Sequence, residues 1–62
     1  MILHERHKKI LDQLFSDGIV YTAELKDKFN TSFETIRKDL QYLEKEGLLS
    51  RVHGGAVPVS EP

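Results

Sequence analysis

Apolar side chains recur every three to four positions through the opening stretch of the chain. In ILHERHKKILDQLFSDG, Leu3, His7, Ile10, Leu11, Leu14 and Phe15 fall on one side of a 3.6-residue helix, and Glu5, Arg6, Lys8, Lys9, Asp12 and Gln13 fill the rest. Gly18 stands where a helix needs a left-handed residue to stop, so a first helix is expected over residues 3–17. IVY, residues 19–21, is a brief extended piece. Thr22 is a favourable N-cap and predicts a second helix over 23–29, with Ala23, Leu25 and Phe29 inward. Asn30 tolerates the positive φ of a tight turn. Ser32 then caps a third helix over 33–46, whose inner stripe is Ile36, Leu40 and Leu43, extended by Phe33. Gly47 ends it as Gly18 ends the first.

After Gly47 the period changes. LLSRV and AVPV are β-prone runs separated by HGG, which predicts a hairpin over 48–59. Pro58 cannot donate to a ladder, which places its strand at an edge. The expected fold is mainly α with a small β-hairpin. Helices 2 and 3, the core at 22–46, make a helix-turn-helix, and the hairpin directly behind it is the wing of a three-helix winged helix-turn-helix.

Sixty-two residues allow one domain. A chain of that size buries only about 60% of its unfolded surface, too little for a cleft between two lobes. Cysteine is absent, which rules out disulfides and thiolate zinc sites. No apolar run approaches the roughly 20 residues of a membrane span. The N-terminal stretch lacks the apolar core of a signal peptide. The chain thus reads as cytoplasmic, with no membrane partner. Nine basic residues face ten acidic ones, a net charge of −1. An autonomous nucleic-acid binder usually shows a basic excess, so any such partner must be argued from where the cations sit.

Three of them, Arg37, Lys38 and Lys45, sit on the third helix. With Ile36, Leu40 and Leu43 inward, about 100° per residue turns Glu34, Lys38, Gln41 and Lys45 directly outward, with Thr35 and Tyr42 to one side and Arg37 to the other. The N-terminal half offers Ser32, Glu34, Thr35, Arg37 and Lys38. In a helix-turn-helix these positions meet base edges: Arg pairs bidentately with guanine, Lys with guanine or phosphate, and Thr with a thymine methyl. The plainer reading is a solvated face, in which Glu34 and Lys38 form an i,i+4 pair worth a few tenths of a kcal/mol. Asp39 is expected to be no more than an intrahelical partner. Ile10, Leu11, Leu14 and Phe15 are expected in the core.

Other constellations fall short of a site. His4 and His7 lie at i,i+3 near Glu5 without a third ligand, so neither metal nor cofactor is expected. Ser32 or Ser50 with His53 and an acid lacks an enclosing pocket, so the chain is not expected to be an enzyme.

From Thr31 to Ala56, TSFETIRKDLQYLEKEGLLSRVHGGA resembles the N-terminal DNA-binding domain of DeoR-family bacterial transcriptional regulators. Thr35-Ile36-Arg37-Lys38-Asp39-Leu40 is similar to that family's recognition-helix signature, and Leu43-Glu44, Gly47, Arg51 and His53-Gly54-Gly55-Ala56 follow at its spacing. Glu5-Arg6, Ile10-Leu11, Leu14, Gly18, Glu24-Leu25, Phe29 and Ser32 match upstream. Lys38 stands where the family more often has arginine, which keeps the charge but loses the planar fork.

The resemblance implies a domain at 3–58 and the start of an interdomain linker at 59–62. It implies sequence-specific binding to double-stranded operator DNA, as part of a repressor of a sugar or carbohydrate operon. Thr35, Arg37 and Lys38 would enter the major groove. Ser32 and the helix 3 N-terminus would hold a phosphate. On the wing, Arg51 would reach a phosphate and His53 the minor groove or backbone, with Gly54 and Gly55 letting N–H groups approach phosphate. Arg6 would add a further phosphate contact. A C-terminal domain absent from these residues would bind a sugar-phosphate-like effector and oligomerise the protein. The rival expectation, favoured by the near-zero net charge, is a winged-helix module that binds proteins and no nucleic acid.

Overall fold

The computed structural model describes residues 4–59. The expected helix start at Leu3 and the linker residues 60–62 lie outside the described residues. The chain runs α1 (Glu5–Asp17), β1 (Val20–Tyr21), α2 (Thr22–Lys28), α3 (Phe33–Lys45), β2 (Leu49–Val52) and β3 (Gly55–Pro58). Three helices and a small antiparallel sheet make the expected winged helix-turn-helix.

Local chemistry sets most boundaries. His4 caps α1, its ring Nδ1 accepting from the Arg6 N–H at 3.0 Å. Gly18 closes the helix in the left-handed region, its N–H donating to Leu14 O at 2.8 Å. Asn30 takes the positive φ of the turn between α2 and α3, at 51°. Ser32 caps α3, its hydroxyl accepting from the Thr35 N–H at 3.2 Å. Thr22 departs from expectation. It is the first residue of α2 rather than its cap, and Tyr21 in the cap position offers no side-chain bond. The Thr22 N–H instead donates to Gly54 O at 3.0 Å, so the wing satisfies a donor that the helix leaves free.

The sheet order is β1-β3-β2, antiparallel throughout. β3 is therefore the central strand, which corrects the edge position expected from Pro58. The proline is tolerated because β1 is only two residues long. It pairs with Gly55 and Ala56 and ends before Pro58, which faces Leu49 of β2 alone. The wing is thus a hairpin with a third strand drawn from the segment between α1 and α2.

Ile10, Leu11 and Leu14 of α1 pack with Leu25 of α2, with Ile36, Leu40 and Leu43 of α3, and with Val20, Leu49 and Ala56 from the sheet. Phe29, Tyr42 and Leu48 close the edges of this core. Three expected core residues lie outside it. Phe15 is 63% exposed, because it follows Leu14 by about 100° and falls past the edge of the α1 stripe. Phe33 is 54% exposed at the first position of α3, and Ala23 is exposed on α2. No helix among the described residues is long and apolar enough to cross a membrane.

Candidate nucleic-acid interface

The outward side of α3 carries an internally ordered set of polar groups. Ser32 Oγ donates to Thr35 Oγ1 at 3.1 Å while accepting from the Thr35 N–H, so the two hydroxyls form one knot at the start of the helix. Arg37 Nη2 donates to Glu34 Oε1, one turn back. The expected Glu34–Lys38 pair is not formed, because the Arg37 fork takes the carboxylate. Lys38 is exposed, with no ion pair or hydrogen bond among the described residues.

The wing meets this helix across a shallow groove. Thr22, Arg37, Leu40, Glu44, Arg51, Val52, Gly54 and Gly55 line a concavity of about 320 Å³. Glu44 ties its two walls. Its carboxylate accepts from the Arg51 backbone N–H at 3.0 Å and from Arg51 Nε at 2.9 Å, and these two bonds hold the carboxyl below its ordinary value. His53 and Gly54 make the exposed turn of the hairpin.

The two wing glycines do different work. Gly54 turns the chain at a φ of 82°, and a Cβ there would meet nothing within 4 Å. Gly55 has no such backbone demand. It is buried, and a Cβ would stand 2.0 Å from Val20 O. Its bareness lets β1 close onto β3. The phosphate approach expected of both glycines therefore has open space at Gly54, whereas the Cβ direction at Gly55 is filled by Val20.

Asp39, assigned only an intrahelical role from sequence, anchors α1 to α3. It is 7% exposed. Arg6 Nε donates to Asp39 Oδ2 at 2.5 Å and Arg6 Nη2 to Oδ1 at 3.0 Å, while His7 Nε2 lies 2.9 Å from Oδ1. Burial pushes the Asp39 carboxyl up, but the bonds from Arg6 and His7 outweigh it and hold it below the usual carboxylate value. The same pairing raises the Arg6 guanidinium. Because Asp39 is a carboxylate, His7 Nε2 is the donor of that bond. The His7 ring stacks on Tyr42 at 5.3 Å between centroids. Arg6, expected to reach a phosphate, thus spends two donors of its fork on α3, and its side chain is 26% exposed. The signal in the sequence was the apolar-side spacing of His7, which put a polar ring where the helix turns inward.

A model of the DeoR-like helix-turn-helix domain matches residues 6–61. The chain is 46% identical over 61 residues to an uncharacterized HTH-type transcriptional regulator, FruR, of Bacillus subtilis, covering 98% of this chain and 24% of that protein. It is 49% identical over 51 residues to the lactose phosphotransferase system repressor of Lactococcus lactis, covering 82% of this chain and 20% of the repressor. It is 42% identical over 52 residues to the glycerol-3-phosphate regulon repressor of Escherichia coli, covering 84% and 21%. The chain thus spans about a quarter or less of the length of these relatives. No solved structure matches it significantly.

Proposed function

Because the chain belongs to the DeoR-like helix-turn-helix family of DNA-binding transcriptional regulators, we propose that it is the operator-reading domain of a repressor controlling a sugar or sugar-phosphate operon. α3 lies in the major groove. Arg37 and Lys38 face base edges and the nearest phosphates, and the Ser32–Thr35 knot presents its N-terminus to the backbone. Arg51 and His53 carry the wing along the backbone or into the minor groove, with the Gly54 turn leaving room for the duplex. Arg6 serves chiefly through Asp39, its outer donors within reach of a phosphate. In the full protein, a further domain binds the effector and joins copies, so that two or more of these weakly charged domains grip a symmetric site together.

One observation carries this reading: Arg37 of α3 and Arg51 of the wing line the same groove, together with Thr22 and Gly54. A helix face and a wing that share a concave, cation-bearing surface suit a duplex better than a flat protein partner.

The reading is tested by selecting sites from a randomised duplex library and measuring affinity by fluorescence anisotropy at several salt concentrations. Affinity is expected to fall linearly with salt on logarithmic axes as phosphate counterions are released. Arg37→Ala is expected to cost about 1–3 kcal/mol and to relax preference at one base pair. If no site is enriched and salt leaves binding unchanged, the chain is a protein-binding module instead.

A further inference from the structure

Phe33 is the one large apolar side chain that α3 leaves uncovered: it is 54% exposed, whereas Ile36, Leu40 and Leu43 are buried. It opens the helix directly after the Ser32 cap. Four residues separate it from Arg37 and eleven from Glu44, so the three stand on one side of α3, the side that borders the wing groove. The ring also has a charged neighbour. Lys26 of α2 places its ammonium 5.2 Å from the ring centroid, a cation–π contact on the surface. Lys26 also pairs with Asp27 at 3.1 Å.

An exposed phenyl one turn from Arg37 on the same side of α3 is suited to one feature of the major groove. Among the groups displayed there, the C5-methyl of thymine is the apolar one, and phenylalanine is among the side chains that contact it. Phosphates and the polar base edges offer the ring nothing comparable. We infer that Phe33 is a specificity-determining residue that selects thymine at the operator position facing the start of α3, with Lys26 as the residue that positions the ring. The inference rests on the operator-reading function proposed above.

The test uses the selected duplex and a series in which each thymine is replaced singly by deoxyuridine, which lacks only the methyl. For the wild-type chain, replacement at one thymine is expected to weaken binding roughly fourfold, the value of one methyl group moved out of water. For Phe33→Ala the same replacement is expected to change nothing, and library selection loses the thymine at that position. Phe33→Leu retains part of the preference. The side chain lies outside the core, so folding of the variants is expected to match wild type, as circular dichroism checks. A Phe33→Ala chain that keeps the full deoxyuridine penalty, or a wild type with no penalty at any thymine, overturns this inference and leaves the operator-reading function standing. If the wild-type chain selects no site at all, both fall together.

Discussion

A methyl group added at Gly55 and one added at Gly54 meet opposite surroundings, although the two residues look interchangeable in the HGGA stretch. At Gly55 the new carbon would be driven into the carbonyl of Val20, and the β1–β3 pairing would have to part. Gly55→Ala is expected to destabilise the domain by about 3 kcal/mol, the upper range for overpacking a well-filled interior. At Gly54 the space is open and only the left-handed backbone resists, so Gly54→Ala is expected to cost about 1–2 kcal/mol. Urea denaturation of the two variants measures the difference, and equal losses would show that β1 does not close on β3 as described. Sequence could place a glycine-bearing turn here, since turn chemistry is local. It could not tell the two glycines apart, because the atom that distinguishes them belongs to a residue 35 positions earlier.

At the scale of elements, what was local proved legible. The Ile36–Leu40–Leu43 stripe, the Ser32 cap and the Asn30 turn each depend on neighbours within a few residues, and each stands where the spacing put it. What depended on distant partners did not. The central place of β3 follows from pairing with Val20 and Tyr21, and the Thr22 N–H, at the first position of α2, is met by Gly54 of the wing. Of the proposed contact residues, the sequence placed Arg37 and Arg51 on their elements, and it missed Glu44, the α3 carboxylate that binds Arg51. Glu44 occupies Arg51 with two bonds and, on the proposed function, would set negative charge against an approaching phosphate. Glu44→Gln is expected to tighten binding to duplexes of any sequence, to steepen the salt dependence and to narrow the margin between selected and scrambled sites. Anisotropy titrations against both duplexes measure this. Unchanged affinity for the scrambled duplex would mean that Glu44 restrains nothing.

For the whole molecule, the ion pair between Arg6 and Asp39 ties the first helix to the third across 33 residues of sequence. Removing one partner leaves the other half-buried without its counter-charge, so Asp39→Asn is expected to cost about 2 kcal/mol in urea denaturation at neutral pH. The acid limb gives a second reading of the same contact. The folded chain keeps Asp39 charged at pH values where the unfolded chain, titrating near the ordinary 3.8, has begun to take up its proton. The unfolded state then binds more protons, so this share of stability is full above the ordinary value and is lost as pH falls through the lowered folded one. The denaturation midpoint of the wild type is expected to drop more steeply than that of Asp39→Asn once pH goes below about 4. Parallel profiles would mean that Asp39 titrates alike in both states.

The strand borrowed from the α1–α2 connection has a mechanical meaning. Because β1 and the Thr22 N–H stitch the hairpin to the doorway of α2, the wing is no loose flap that settles after docking. Its ordering cost is met when the chain folds, which leaves less to lose on association. On the function proposed above, such a frame would set the interval between the helix and wing contacts, and a bound duplex would have to adapt its shape to that interval.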